Sequence, residues 1–287
     1  FPVVMIAARW RWPPRFKRGE PLFRGFASDW WQVRIAGQAA YAAYPLLGGL
    51  LFTTHEVGLI VWALAVTSIP SYLAPMVARA TFPALSRSPV EKHAGIYSTL
   101  LRGLLVIGCP LAAALFVGAE ALTETVFGDS WMDGITLLRL ESLTTVLGIA
   151  SSSVIPLLFL NNDPVWVKWI SVGNTALIVL LSVALAPIAS YLAISLATLT
   201  AVTLMIILFD RLLKQSLSYR LIADMAPALV GFILGIAVGT ALTVWLGGSS
   251  IVGFTAAALA AVIQLATTYL LKGGVDPRTA ISRIRQA

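Results

Sequence analysis

The stretch from Asn174 to Phe209, NTALIVLLSVALAPIASYLAISLATLTAVTLMIILF, decides the fold class. No charged residue lies between Lys168 and Asp210, and a joint containing proline, Ala186–Ala189, divides this apolar run. About 20 apolar residues form a helix long enough to cross the hydrocarbon core of a bilayer. The stretch therefore predicts two transmembrane helices, which the short joint forces to run antiparallel.

Similar stretches occur along the whole chain of 287 residues, 58% of which are hydrophobic and only 11% charged. Soluble domains carry roughly 25% charged residues, so a soluble core is excluded. We predict an all-α fold, a polytopic transmembrane helical bundle with about eight spans. The predicted spans are about 28–52, 56–82, 96–118, 134–160, 166–187, 189–209, 225–247 and 250–271.

The first residues, Phe1 to Ala8, form an apolar stub that is too short to span a membrane. We interpret residues 1–27 as the end of a preceding span followed by a basic cytoplasmic loop. The eight-helix bundle then occupies 28–271 and a cytoplasmic tail 272–287. On this interpretation the chain is the C-terminal part of a longer protein, and a missing N-terminal helical lobe is its partner.

Charges alternate between the gaps that separate the spans. The positive-inside rule places basic loops in the cytoplasm, and the predicted location is therefore the bacterial cytoplasmic (inner) membrane with a cytoplasmic C-terminus. The same rule accounts for the net charge of +7 without nucleic-acid binding. One set of gaps contains Arg9, Arg11, Arg15, Lys17, Arg18, Arg24, Arg87, Lys92, Lys168, Arg211, Lys214, Arg220, Lys272, Arg278, Arg283 and Arg285, and the other set contains Glu56, Glu120, Glu124, Asp129 and Asp133.

A few ionisable or amide side chains fall within the cytoplasmic half of predicted spans: Arg34, Gln38, Arg79 and Arg102. Their long stems could reach the headgroups by snorkelling. Alternatively, the guanidinium groups converge on a cavity at the inner leaflet, where their N–H groups donate hydrogen bonds to phosphate oxygens. The second interpretation makes these four residues candidates for pyrophosphate binding.

Arg139 and Glu141 lie near the outer end of the fourth predicted span. Two positions apart on a helix, they point to different faces and are not expected to pair with each other. Both are candidates for energy coupling. For Glu141, proton or sodium coupling and a simple interhelical hydrogen bond remain alternatives.

Gly231, Gly235 and Gly239 form a stripe at i, i+4 spacing in the seventh predicted span. Small residues at this spacing permit close helix contact, which we expect within the bundle rather than in a dimer.

Motifs of enzymes and cofactor sites are missing from the sequence. There is no phosphate-binding glycine loop, HExxH or GxSxG. Cys109 is the single cysteine, and His55 and His93 are predicted to lie in separate loops, which argues against a metal site. We therefore expect a protein that is not an enzyme and that uses no cofactor or metal.

Two segments resemble the polysaccharide (O-antigen) flippase family of the multidrug, oligosaccharidyl-lipid and polysaccharide exporter superfamily. The first begins with VGLIVWALA at Val57–Ala65 and continues through Ile69-Pro70 to TFPALSR at Thr81–Arg87. The second is VFGDSW at Val126–Trp131, followed by LLRL at Leu137–Leu140. The similarity extends loosely over nearly the whole chain, which corresponds to the second half of a transporter with 12–14 helices.

The resemblance implies a flippase that moves a polyprenyl-pyrophosphate-linked oligosaccharide to the outer leaflet by alternating access between two helical lobes. The family has cationic residues that line its central cavity. Arg34 and Arg79 correspond to them by residue type, although not by a strict motif. A cation-coupled multidrug exporter and a lipid II flippase remain alternatives within the superfamily. A non-transporting membrane scaffold, working with other polysaccharide assembly proteins, is the alternative from another class.

Overall fold

The computed structural model describes residues 31–33, 35, 39, 42, 44–72, 85–161, 164–247 and 249–271. Within these ranges the regular elements are helical and no strand occurs, so the predicted all-α fold is confirmed. Residues 44–51 are helical, and seven long helices follow. They are α1 (Thr54–Ser71), α2 (Val90–Val117), α3 (Ile135–Asn161), α4 (Pro164–Ala189), α5 (Ala193–Leu217), α6 (Leu221–Leu246) and α7 (Ser250–Leu270).

The helices are long and apolar enough to form a membrane bundle. Five stretches of the described chain could cross a membrane by length and composition: Val90–Val117, Asp129–Asn161, Val165–Leu217, Leu221–Leu246 and Ser250–Leu270. The stretch Val165–Leu217 contains α4 and α5, joined by the 3₁₀ turn Ser190–Leu192. Bulky apolar side chains such as Ile188 and Trp245 are more than 80% exposed on the bundle surface, as hydrocarbon contact requires.

Several helix boundaries differ from the prediction. The chain enters α2 at Val90 rather than at 96, α5 continues to Leu217 rather than 209, and α6 begins at Leu221 rather than 225. The added turns carry charged residues, which hydropathy places outside a span although the backbone remains helical. The predicted number of about eight spans stays a prediction.

Local capping explains where α1 and α7 begin. Thr53 accepts a hydrogen bond from the Glu56 N–H, while Glu56 Oε2 accepts from the Thr53 N–H at 2.8 Å, which forms a capping box. Ser249 caps α7 by accepting from the Val252 N–H. At the other end of α6, Gly247 has φ +86°, a conformation that favours glycine and ends the helix.

The bundle is arranged around α2 and α3, which pack against each other. On one side α2 contacts α6 and α7, and on the other side α3 contacts α5, with α4 packed mainly on α5. A second apolar cluster surrounds Trp62 of α1, whose ring lies 5.3 Å from that of Phe127 and 5.5 Å from that of Trp131. This packing fixes the connection between α2 and α3 against α1.

The glycine stripe of α6 lies inside the bundle, as predicted. Gly231, Gly235 and Gly239 are buried. A Cβ atom at Gly231 would lie 2.7 Å from the Gln264 carbonyl oxygen, and one at Gly235 would lie 2.5 Å from that of Ala260. Because α7 approaches the backbone of α6 so closely, the stripe is a helix-packing surface within one chain.

Candidate functional site

Three of the predicted site residues, Arg34, Gln38 and Arg79, lie outside the described residues, so their convergence on a cavity stays a prediction. The other three, Arg102, Arg139 and Glu141, are described, and each has a partner from another element.

Arg102 forms an ion pair between two helices. Its Nη2 atom on α2 donates to Asp224 Oδ1 in the first turn of α6 at 2.7 Å. The Arg102 side chain is 33% exposed and that of Asp224 is 13% exposed. In this conformation the guanidinium binds a carboxylate of the same chain. This ion pair differs from both interpretations of Arg102 in the sequence analysis, snorkelling to the headgroups and direct binding of phosphate.

Asp224 accepts two further hydrogen bonds. Tyr219 donates its hydroxyl to Oδ2 at 2.6 Å, and Ser98 of α2 donates from its side chain. Burial raises the pKa of the Tyr219 phenol far above its ordinary value, so Tyr219 keeps its proton and acts as the donor. We call Ser98, Arg102, Tyr219 and Asp224 the basic-end cluster, because the basic loops lie at this end of the bundle.

The connection between α5 and α6 holds Tyr219 in place. Ser218 adopts the left-handed conformation with φ +53° and ends α5. The next N–H, that of Tyr219, donates to the Leu213 carbonyl at 3.3 Å, and Asp210 Oδ1 accepts from the Ile222 N–H at 2.9 Å at the start of α6. These bonds satisfy helix-end groups and fix the direction of the Tyr219 side chain.

An aromatic contact connects the cluster to α3. The rings of Tyr97 and Tyr219 meet edge to face with centroids 5.7 Å apart. The Tyr97 hydroxyl lies 3.0 Å from Ser153 Oγ on α3. Polar and aromatic contacts therefore join α2, α3 and α6 at the basic end.

Glu141 is buried on α3, with only 4% exposure, and forms an interhelical hydrogen bond. It accepts from Ser195 Oγ of α5 at 2.6 Å. On the next turn of α5, Thr198 accepts from the Tyr44 hydroxyl, also at 2.6 Å. The structure thus contains the interhelical hydrogen bond considered for Glu141, and the coupling role stays a prediction.

Arg139 does not pair with Glu141, in agreement with their predicted faces. Its Nε donates to the Phe116 carbonyl at 3.4 Å, and its Nη2 lies 3.8 Å from Glu120 Oε2. Phe116 belongs to the last turn of α2, where carbonyl groups lack a helical partner. A cation at this position also opposes the negative end of the helix dipole, so Arg139 stabilises the end of α2.

Acidic residues at the opposite end of the bundle tie its connections together. Ser190 donates to Glu56 Oε1 at 2.9 Å, and Ser250 donates to Glu124 Oε2 at 2.7 Å. Tyr191 donates to the backbone carbonyl of Asp133 at 3.1 Å. We call this side the acidic end.

The predicted placement of both histidines in loops is wrong. His55 lies in the first turn of α1, and His93 is a buried residue of α2. The ring nitrogens of His93 lie 3.0 Å from Asn161 Oδ1 and 3.0 Å from the Ser88 carbonyl oxygen. Within the described ranges no group of three or more His, Cys, Asp or Glu side chains is arranged to hold a metal ion.

The sequence analysis missed Asp224 and Tyr219. Asp224 lies just before the predicted start of the seventh span at 225, so the predicted boundaries leave it between two spans. Its partner Arg102 is 122 positions away, a separation that no local pattern encodes. The available signal was an acidic residue directly before a long apolar run that contains no other charge.

Residues 1–136 match the family model of the polysaccharide biosynthesis proteins. The match confirms the resemblance to a polysaccharide flippase-type family found in the sequence. It covers 136 of the 287 residues, just under half of the chain, and includes both quoted segments apart from the final Leu137–Leu140. Together with the apolar helices, it indicates a multi-pass membrane protein of flippase-like type.

No curated protein and no solved structure matches the chain.

Proposed function

We propose that the chain forms part of a flippase that moves lipid-linked oligosaccharide units across the bacterial cytoplasmic membrane for cell-surface polysaccharide biosynthesis. The observation that carries the proposal is the match of residues 1–136 to the polysaccharide biosynthesis proteins, in a bundle of helices apolar enough to span a membrane. On this proposal the protein is a transporter and not an enzyme.

The separation of charge supports a defined orientation. Arg87, Lys92, Arg211 and Lys214 lie at the basic end, and five acidic residues lie in or next to the connections at the acidic end. By the positive-inside rule the basic end faces the cytoplasm, together with the C-terminal tail. The oligosaccharide would then enter at the basic end and leave at the acidic end.

The chemistry of the substrate assigns roles to the charged residues. The pyrophosphate needs cationic donors at the cytoplasmic leaflet, where we place Arg34, Arg79 and Arg102, with Gln38 as a neutral donor. The oligosaccharide needs a hydrated path through the bundle, whereas the polyprenyl chain can stay in the bilayer. We assign energy coupling to Glu141, the buried carboxyl group of α3, and place Arg139 beside this path.

Transport in liposomes tests the proposal. The full-length protein is reconstituted with a fluorescent polyprenyl-pyrophosphate oligosaccharide, and protein-dependent exposure of the label across the bilayer is measured. We expect exposure with the wild-type protein and its loss with Arg34→Ala. Lys92→Gln, a change at an exposed residue of the same end, should retain the wild-type rate.

The alternatives predict other results. Efflux of a cationic dye without oligosaccharide exposure would indicate a multidrug exporter, and exposure of lipid II alone would indicate a lipid II flippase. A scaffold predicts no exposure of any lipid, loss of polysaccharide in cells after changes on the Gly231 stripe, and no loss after Arg34→Ala. Any of these three results would overturn the proposal.

A further inference from the structure

The basic-end cluster contains three hydrogen-bond donors that converge on one anionic group. Arg102 and Tyr219 bind different oxygen atoms of the Asp224 carboxylate, at 2.7 and 2.6 Å, and Ser98 supplies a third hydrogen bond. The donors come from α2 and from the connection between α5 and α6, so the fold and not one local turn brings them together.

This donor set suits a phosphate group as well as a carboxylate. A guanidinium binds oxyanions through several N–H groups in a plane, and hydroxyl donors complete the shell of the remaining oxygen atoms. Since Tyr219 is held by its own loop and by Tyr97, its hydroxyl stays directed at the anion position. The position is therefore a preformed oxyanion site that already contains an oxyanion, the Asp224 side chain.

Exposure and charge favour entry of an anion from the basic end. One third of the Arg102 side chain is exposed, whereas only 13% of the Asp224 side chain is. Arg211 and Lys214 on the last two turns of α5, and Arg220 directly before α6, are exposed at the same end. Their positive potential raises the local concentration of anions beside Arg102.

We propose that Ser98, Arg102 and Tyr219 form an anion-binding site that Asp224 occupies in this conformation, and that a phosphate group of a lipid-linked substrate displaces it. The identity of that substrate rests on the proposed function. Exchange of one anion for another keeps the Arg102 charge compensated. Binding of the phosphate separates α2 from α6 at the basic end, because the ion pair that joins them is broken.

Binding of inorganic pyrophosphate to the full-length protein, in nanodiscs of neutral lipid, tests this site by isothermal titration calorimetry. Asp224→Asn removes the competing charge and keeps the shape of the side chain, so its affinity should exceed that of the wild type by about tenfold, the effect of one charge-assisted hydrogen bond. Arg102→Lys keeps the charge but loses the planar donors and should lower the affinity by a similar factor. Glu91→Gln, which removes an exposed carboxylate from the first turn of α2, is the matched control and should bind like the wild type.

Equal or weaker affinity of a folded Asp224→Asn protein would overturn the proposal. If that variant does not fold by circular dichroism, the comparison of wild type with Arg102→Lys decides: equal affinities contradict the site, and a loss confined to Arg102→Lys upholds it. A second arm replaces pyrophosphate with phosphatidic acid in the nanodisc. If phosphatidic acid stabilises the protein against unfolding and free pyrophosphate does not bind, the ligand is a lipid-borne phosphate.

The assay contains no transport step, and its outcome is therefore separate from that of the proposed function. Oligosaccharide exposure without binding of either pyrophosphate or phosphatidic acid at Arg102 overturns this inference alone. Pyrophosphate binding without oligosaccharide exposure overturns the proposed function alone.

Discussion

Two arginines of the bundle, Arg102 and Arg139, show how position determines what an ion pair contributes. Arg102 lies 2.7 Å from Asp224, and the acid is only 13% exposed. Arg139 lies 3.8 Å from Glu120, and the two side chains are 38% and 58% exposed. An exposed pair gains little because water and salt screen it, whereas removal of one partner of a shielded pair leaves an uncompensated charge. The two sites have the same residue chemistry, and we expect different energetics.

The largest effect is expected at the shielded pair. Asp224→Ala leaves Arg102, Tyr219 and Ser98 without their common acceptor, and we expect a loss of about 2–3 kcal/mol in the free energy of unfolding, less than for a fully buried pair. Unfolding in mixed micelles with increasing denaturing detergent measures the change. The double variant Asp224→Ala with Arg102→Ala should lose less than the sum of the single changes, and additive losses would show that the pair contributes nothing.

A second comparison contrasts glycines at a helix contact with a glycine at an open position. At Gly235 an added Cβ would lie 2.5 Å from the Ala260 carbonyl oxygen, whereas at Gly103 of α2 nothing lies within 4 Å. Gly235→Ala should therefore destabilise the bundle by about 2 kcal/mol through overpacking of α6 on α7. Gly103→Ala should be neutral or stabilise by about 0.5–1 kcal/mol, since alanine loses less backbone entropy in a helix. The same unfolding measurement compares them, and equal effects would refute a specific contact at Gly235.

The comparison also shows which features the sequence could predict. Long apolar runs indicate the helices, and the spacing of Gly231, Gly235 and Gly239 indicates a contact surface, because both patterns are local. The partner of Arg102 could not be found in this way, since Asp224 becomes its neighbour only when α2 and α6 pack together. His93 falls in a predicted loop because hydropathy begins the span only at 96, whereas the helix begins at Val90 and buries the ring against Asn161.

An intermediate effect is expected at the hydrogen bond between α3 and α5. Ser195→Ala removes the donor to Glu141, which is 4% exposed, and leaves a buried carboxyl oxygen without that bond. A buried polar group that loses its partner costs about 1–3 kcal/mol, and we expect a value near the lower limit because the carboxyl group can turn towards another donor. Thr203→Ala, an exposed hydroxyl on α5 that bonds only within its own helix among the contacts described, is the control. A loss no larger than that of the control would show that the bond between Ser195 and Glu141 is energetically neutral.

The smallest effect is expected at Arg139, which completes the comparison of the two arginines. Arg139→Gln removes a long, exposed ion pair with Glu120, worth at most about 1 kcal/mol, and the glutamine amide can still donate to the Phe116 carbonyl. The loss should shrink further in high salt, because screening acts on exposed charges, whereas the loss from Asp224→Ala should change little. Unfolding curves for both variants at low and high salt measure this difference. An equal loss of unfolding free energy in the Arg139 and Asp224 variants, independent of salt, would mean that exposure and distance do not distinguish the two ion pairs. Arg139 would then be shielded from water at the acidic end.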